Sequence, residues 1–366
     1  MLVHTVGTEN FRLLESQTVE FTPGVNIICG ENAQGKTTLL EAVYLLTGVK
    51  SFRTRYDKEL IAFDKDTARV EGTITAGGRE QRLELQFARG KTRTVRRNGG
   101  RIAPSQVNEA LKAVLFSPED LTLVRGGAAN RRHLLNEAIS QLRPGYAALV
   151  SDYNRLFENK TRILKDHEEK PSLLEPLDEF SQSMALLSAK IIRYRASFAK
   201  RLQETAELIH RDFSGERENL QIDYATVSTV TDPTASEKQI FEEIMLRQQQ
   251  LRRAELDAGQ CLVGVHKDDL LIRINGSDAR TFASQGQART AALSIKLAER
   301  DIFTAETGED PVLLLDDVLS ELDAARQEFV LNRIHAGQTL VTCCELASVE
   351  RLTGGTVLRM EKGRVS

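Results

Sequence analysis

The sequence has no tryptophan, only four cysteines and no apolar run near the roughly 18–20 residues needed to cross a membrane. Without tryptophan, and with no aromatics interleaved among its basic residues, base stacking on single strands has poor support. Cys29, Cys261, Cys343 and Cys344 show no C-x-x-C spacing, which leaves little support for a zinc site or a disulfide framework. They sit in apolar, strand-like runs and read as buried, reduced thiols. His4, His133, His167, His210, His266 and His335 are scattered, with no H-x-x-x-H pair. The opening "MLVHTVGTENFRLL" lacks the basic-then-apolar pattern of a secretory leader, so a cytoplasmic protein is expected. Charge of one sign is also missing. The 49 Lys and Arg against 52 Asp and Glu give a net charge of -3, so any nucleic-acid contact has to come from a local basic patch.

At 366 residues, 41% hydrophobic and 28% charged, the chain fits a soluble globular protein with two domains, or one domain carrying a large insertion. "GVNIICG" is an apolar run that ends in a glycine loop, and reads as a buried strand. From Thr37 the spacing of Leu39, Leu40, Val43, Tyr44 and Leu46 is helical. Residues 67–87 alternate in polarity around Gly77-Gly78, and "TVRRNGGRI" places Asn98-Gly99 at a second hairpin tip. Long polar helical patterns then dominate, with one break at "GERENLQIDYATVSTVTDPTAS" that has room for a strand and a loop. None carries a heptad run long enough for an extended coiled-coil arm. From Cys261 strands and helices alternate again. The expected organisation is an α/β head over 1–117 and 260–366, with an inserted helical lobe over 118–259.

Gly30-x-x-x-x-Gly35-Lys36-Thr37 matches the eight-residue phosphate loop in its strand–loop–helix setting. Gly30 and Gly35 let Glu31, Asn32, Ala33 and Gln34 turn their amides inward. Lys36 is expected to reach the outer phosphates of ATP, the Thr37 hydroxyl to ligate Mg²⁺, and Thr38 to complete the cradle at the positive end of the helix. "VLLLDD" places Asp316 at a sheet edge to hold Mg²⁺, with Asp317 positioned to polarise a hydrolytic water. In "SQGQ", Ser284 reads as a helix N-cap and Gly286 leaves a backbone N–H exposed; Gln285 and Gln287 complete the motif.

The order of these motifs resembles the ABC-type ATPases. The resemblance implies an ABC-type head with a mixed P-loop sheet and an antiparallel part. It also implies that Ser284, Gln285, Gly286 and Gln287 act across a homodimer on the partner's ATP, and that Ser320, Glu321, Leu322 and Asp323 form the D-loop along that seam. Within the superfamily the match narrows to the RecF family of bacterial recombination mediators, through "NFRLLE", "GENAQGKTTLLEAVYLL", "KSFRT", "FSPEDL", "RRHLLN", "GVHKDDL", "SQGQARTAAL" and "LLLDDVLSELD". SMC-type heads share the core but carry far longer arms. The resemblance implies an ATP-dependent, nucleoid-associated DNA-binding protein with weak DNA-stimulated ATPase activity, RecR, RecO and RecA as partners, and no membrane association. Departures include Thr38 where the family shows Asn, Asn136 ending "RRHLLN", and Asp317 where transporter ATPases have Glu; the shorter carboxylate implies slow hydrolysis. Thr342-Cys343-Cys344-Glu345 stands where transporters carry a γ-phosphate-sensing His, so that sensor is unassigned, as is the Mg²⁺-assisting Gln. Arg12 in "NFR" resembles an N-terminal residue that touches the nucleotide phosphates.

Residues 89–101 hold Arg89, Lys91, Arg93, Arg96, Arg97 and Arg101 and no acid; on a hairpin, Arg93 and Arg97 share one face and Arg96 takes the other. Such a ribbon suits duplex backbone contact. Arg53, Arg55, Arg125, Arg131 and Arg132, with Arg193, Arg195, Lys200 and Arg201 in the helical lobe, extend the candidate DNA surface. The main alternative is the ATPase subunit of a transporter, which predicts no DNA affinity. A small-molecule kinase needs the phosphate loop but not the S-x-G-Q motif.

Overall fold

The computed structural model describes residues 1–54, 56–103, 106–107, 110–226, 230–333, 337–344 and 354–366. Arg55, His335 and Glu345 lie outside them. The chain begins with β1 (Leu2–Glu9), β2 (Gln17–Glu20), β3 (Val25–Cys29) and the helix α1 (Lys36–Leu45). β4 (Thr67–Ala76) and β5 (Arg79–Ala88) follow, then β6 (Thr94–Arg97), β7 (Gly100–Ile102) and β8 (Ala113–Phe116). The two expected hairpins form where both turn residues can take positive φ, at Gly77-Gly78 (59° and 67°) and Asn98-Gly99 (52° and 81°). Next come α2 (Ala128–Leu142), α3 (Tyr146–Asp166), α4 (Leu177–Ser214), β9 (Leu220–Ala225) and α5 (Glu237–Ala258). The last third holds β10 (Asp269–Ile274), β11 (Ser277–Asp278), α6 (Ala279–Phe282), α7 (Gln285–Thr307), β12 (Val312–Asp316), α8 (Ala324–Arg333), β13 (Thr339–Cys343), β14 (Thr356–Glu361) and β15 (Arg364–Val365).

The chain divides into two compact units, residues 1–122, 212–215 and 285–366, and residues 123–211 and 216–284. The inserted unit therefore extends to Ser284 rather than ending at 259, because β10 pairs antiparallel with β9 and with β11. The strand read from sequence as a return to the head completes the insert's own sheet. The four residues 212–215 belong with the first unit for a local reason: Phe213 stacks on Phe329 at 4.0 Å between ring centroids, and Arg333 pairs with Asp212.

In the first unit an antiparallel sheet runs β2-β1-β4-β5-β6-β7, and a largely parallel sheet runs β15-β14-β3-β13-β12-β8. One apolar core joins both sheets through α1, where every residue but Thr37 is buried. A helix apolar on all sides has to be sandwiched. Gly72 on β4 makes the fit possible, since a Cβ there would come within 2.3 Å of Leu46. The parallel strands β3, β13 and β12 are almost continuous runs of buried residues, as a sheet covered on both faces requires. In the second unit the helices α2 to α5 accompany the three-stranded sheet. α4, at 38 residues, spans about 57 Å, and none of the described helices reaches the length of a coiled-coil arm.

Candidate functional site

The phosphate loop links β3 to α1 through backbone that only a glycine accepts easily at two points. Gly35 has φ +115°, and a Cβ on Gly30 would come within 2.3 Å of the Met360 carbonyl oxygen. Lys36 Nζ donates to the carbonyls of Gly30 (2.6 Å) and Glu31 (2.9 Å) and lies 3.4 Å from Cys344 Sγ. The thiol of Cys344 donates to Asn32 Oδ1 at 3.1 Å. Gln34 is braced from outside the loop: its carbonyl accepts from Gly363 N–H (2.9 Å) and its side-chain oxygen accepts from Lys362 N–H. The thiols do not all follow the expectation of burial. Cys261 and Cys343 are buried, Cys29 is half-buried and Cys344 is exposed, because Cys344 lies beyond the end of β13 and over the loop.

Asp316 closes β12 and is buried, and Thr37 Oγ1 donates to its Oδ1 at 2.8 Å. Burial pushes the Asp316 carboxyl above the usual carboxylate range, against the hydrogen bonds from Thr37 and Thr342 and the charge of Arg53. A hydroxyl and a carboxylate in contact at the mouth of a phosphate loop are hard oxygen donors of the kind that hold Mg²⁺ together with phosphate oxygens. The residues fit that ion. Thr342 joins the two acids: its hydroxyl donates to Asp316 Oδ1 (3.0 Å) and accepts from the Asp317 N–H (2.8 Å). Asp317 takes a left-handed backbone (φ 52°), and its carbonyl accepts from Ser320 Oγ at 2.6 Å.

Ser284 stands directly before α7, at the N-cap position, with Gln285, Gly286 and Gln287 in the first turn. Of the expected D-loop (Ser320, Glu321, Leu322, Asp323), Ser320 and Glu321 lie in a 3-10 turn over Leu319–Glu321, and Leu322 and Asp323 follow it ahead of α8. Two arginines tie it to α7. Arg326 pairs with Asp323 while donating to the Gly286 carbonyl (3.1 Å) and Thr290 Oγ1 (3.2 Å), and Arg289 donates to the Glu321 carbonyl.

The candidate DNA cations separate by their surroundings. Arg93 precedes β6 and makes a two-point pair with Asp57 (2.8 and 2.9 Å) over the Phe87 ring, so it does not share a strand face with Arg97. Arg96 and Arg101 lie directly opposite on β6 and β7, both exposed. Lys91 is exposed and Arg97 partly so. Arg53 stays exposed although its guanidinium lies 3.5 Å from Glu41 and 3.3 Å from Thr38 Oγ1, and Arg12 also pairs with Glu41.

In the second unit Arg131 is buried, in a two-point pair with Asp269 (2.6 and 2.9 Å), and Arg132 donates to the Asp268 carbonyl at 2.8 Å. Arg195 is buried too, donating to Asp268 Oδ2 (2.7 Å) and Asn136 Oδ1 (3.0 Å). Arg131 and Arg195 are therefore structural cations rather than surface ones. "RRHLLN" and "GVHKDDL", far apart in sequence, meet here: Tyr224 and Thr226 also donate to Asp268, and Tyr146 to Asn136. Burial pushes Asp268 upward while Arg195 opposes the shift.

Sequence reasoning missed Glu41, Arg289 and Arg326. Glu41 sits in the helical run after the loop, and a charged residue on an otherwise apolar helix was its only signal. The two arginines lie on polar helix surfaces and gave none.

Residues 2–365 match the RecF/RecN/SMC N-terminal domain family. The chain is 39% identical over 372 residues to the DNA replication and repair protein RecF of Listeria monocytogenes, covering 100% of this chain and 99% of that protein. It superposes on the recombination mediator RecF described as RecF-ATPrS in the RecFOR pathway with a TM-score of 0.92, at 33% identity, covering 100% of this chain and 97% of that one. For the form described as RecF-ATP the TM-score is 0.89 at 33% identity, covering 100% and 96%.

Proposed function

The chain belongs to the RecF family, and from that premise we propose that it is an ATP-switched DNA-binding protein of recombinational repair. It binds ATP with Mg²⁺, associates as a homodimer, holds duplex or gapped DNA, and assists loading of RecA together with RecO and RecR. Slow, DNA-stimulated hydrolysis then drives release. The carrying observation is the convergence of Lys36, Thr37 and Asp316, with the Thr37 hydroxyl 2.8 Å from the carboxylate.

The 1–117 and 260–366 head with its 118–259 insert is refined in this reading to the two compact units above. Arg12, residues 30–38 and Asp316 bind MgATP. Mg²⁺ screens phosphate charge when bound; Lys36 and the loop amides orient the phosphates, and Asp317 holds the attacking water and takes up its proton. Ser284 and the Gly286 amide contact the γ-phosphate held by a second copy, a partner that ADP lacks. Only such a differential contact lets the nucleotide shift the association equilibrium. Linkage of Gly286 to Asp323 through Arg326 supports a signature and D-loop that move as one piece.

Sedimentation with a non-hydrolysable ATP analogue and Mg²⁺, with and without duplex DNA, tests the reading. A dimer with the analogue and a monomer with ADP are expected. Ser284→Arg should bind ATP and stay monomeric; a monomeric wild type in saturating analogue overturns the mechanism.

A further inference from the structure

Glu41 lies on α1, just beyond the phosphate loop, and is fully buried at 0% exposure. A buried carboxylate survives only if its charge is matched and its lone pairs are satisfied. Arg12 Nη2 donates to Glu41 Oε1 at 2.9 Å, and its Nε lies 2.6 Å from Oε2 as an ion-pair contact. Ser51 Oγ donates to the same carboxylate, and Arg53 Nη1 lies 3.5 Å away. One cation would neutralise the charge; here two arrive from separate segments: Arg12 adjoins Leu13 and Leu14, which pack against Gly35 of the phosphate loop, and Arg53 reaches Thr38. Arg12 is held in a left-handed backbone (φ 51°), with its N–H bonded to the Leu60 carbonyl at 2.9 Å. Arg53 is fixed by Ser51, whose hydroxyl accepts from the Arg53 N–H at 3.0 Å, and its guanidinium reaches Thr38 Oγ1 at 3.3 Å. Thr38 adjoins Thr37, which contacts Asp316.

We infer that Glu41 is a positioning residue of the nucleotide site: its carboxylate holds the Arg12 and Arg53 guanidinium groups beside Thr37 and Thr38, where the outer phosphates bind. The inference rests on the nucleotide-binding reading above. Guanidinium groups fixed in advance need no reorganisation when the phosphate arrives. Without the carboxylate they become mobile, and the site loses affinity for the triphosphate more than for shorter nucleotides.

The experiment is titration of ATP, ADP and AMP against the full chain and its Glu41→Gln, Glu41→Asp, Arg53→Gln and Lys36→Ala variants, with foldedness followed by circular dichroism. Glu41→Gln keeps the volume and one acceptor oxygen while removing the charge and turning the other oxygen into an N–H donor. ATP affinity is expected to fall about tenfold, with a smaller loss for AMP. Glu41→Gln combined with Arg53→Gln is expected to lose less than the product of the single losses, because the two residues act as a unit. Wild-type ATP affinity and ATP-over-AMP preference in Glu41→Gln, or fully multiplicative losses in the double variant, overturn the inference. If Glu41→Gln does not fold, Glu41→Asp carries the test, since its shorter carboxylate should still weaken ATP binding; unchanged binding overturns the inference. Intact ATP binding in Lys36→Ala would topple the nucleotide-site reading itself, whereas loss in Lys36→Ala with full binding in Glu41→Gln topples only this inference.

Discussion

His266 is held neutral chiefly by burial, and its two hydrogen bonds fix the tautomer. Its Nε2–H donates to the Cys261 carbonyl at 3.1 Å, so Nδ1 is left to accept from the Tyr153 hydroxyl at 2.7 Å. A second proton would cost the Tyr153 bond and place a cation in a site where burial, Lys267, Arg132 and Lys160 all disfavour it; its pKa is pushed down to about 4. The folded value lies below the unfolded value of 6.5, so the ring contributes stability that is fully present above pH 6.5 and is lost as pH falls towards 4. The size is on the order of 3 kcal/mol. Thermal melts of wild type and His266→Gln between pH 7.5 and 4 should converge as pH falls, because only the wild type carries this loss. Parallel curves would show that the ring titrates normally. Thr342 is a second residue of this kind, since one hydroxyl fixes both Asp316 and the Asp317 amide.

Among elements, the phosphate loop is braced in part from the far end of the chain, by the Lys362 and Gly363 amides on Gln34. Gly30, Gly35, Lys36 and Thr37 were legible in sequence because the phosphate-loop motif sets those residue types at fixed local spacing, and Asp316 because it ends a fully apolar strand. The hairpins were legible because their turns need positive φ. The β14–β15 turn against Gln34 was not, because a long-range backbone contact imposes no side-chain pattern. For the same reason β10 was read as part of the head: alternation identifies a strand but not its sheet. Gly363 tests the bracing. Its φ is +79°, and a Cβ would come within 2.2 Å of the Leu13 carbonyl oxygen, so Gly363→Val should force the turn away from Leu13 and Gln34. We expect ATP affinity to fall severalfold and stability to drop by about 1–3 kcal/mol. Gly78→Ala, with φ +67° but nothing within 4 Å, should cost only about 1 kcal/mol and leave ATP affinity intact. Equal ATP affinity in both variants would show that the turn does not support the loop.

For the molecule as a whole, a net charge of -3 means that DNA affinity has to be local, and the surroundings of the cations decide which are available to bind it. Arg93, Arg131 and Arg195 are committed to internal carboxylates. Arg96 and Arg101 are different: they are directly opposed across β6 and β7, on one face and exposed. Like charges at such a position destabilise a sheet. The Arg96–Glu84 contact at 3.4 Å is an exposed pair worth little. A repulsive pair kept at a solvent edge has its best use in facing phosphates, and the proposed DNA contact is therefore centred there. Each phosphate neutralised releases counterions, so log affinity should fall with log salt by about 0.9 per contact. Measured against duplex DNA with the ATP analogue present, Arg96→Ala and Arg101→Ala should each weaken binding and flatten that slope by about one unit. Arg93→Ala should lower the melting temperature through the orphaned Asp57 and leave the slope unchanged. A slope that flattens for Arg93→Ala but not for Arg96→Ala or Arg101→Ala would move the DNA contact off this hairpin.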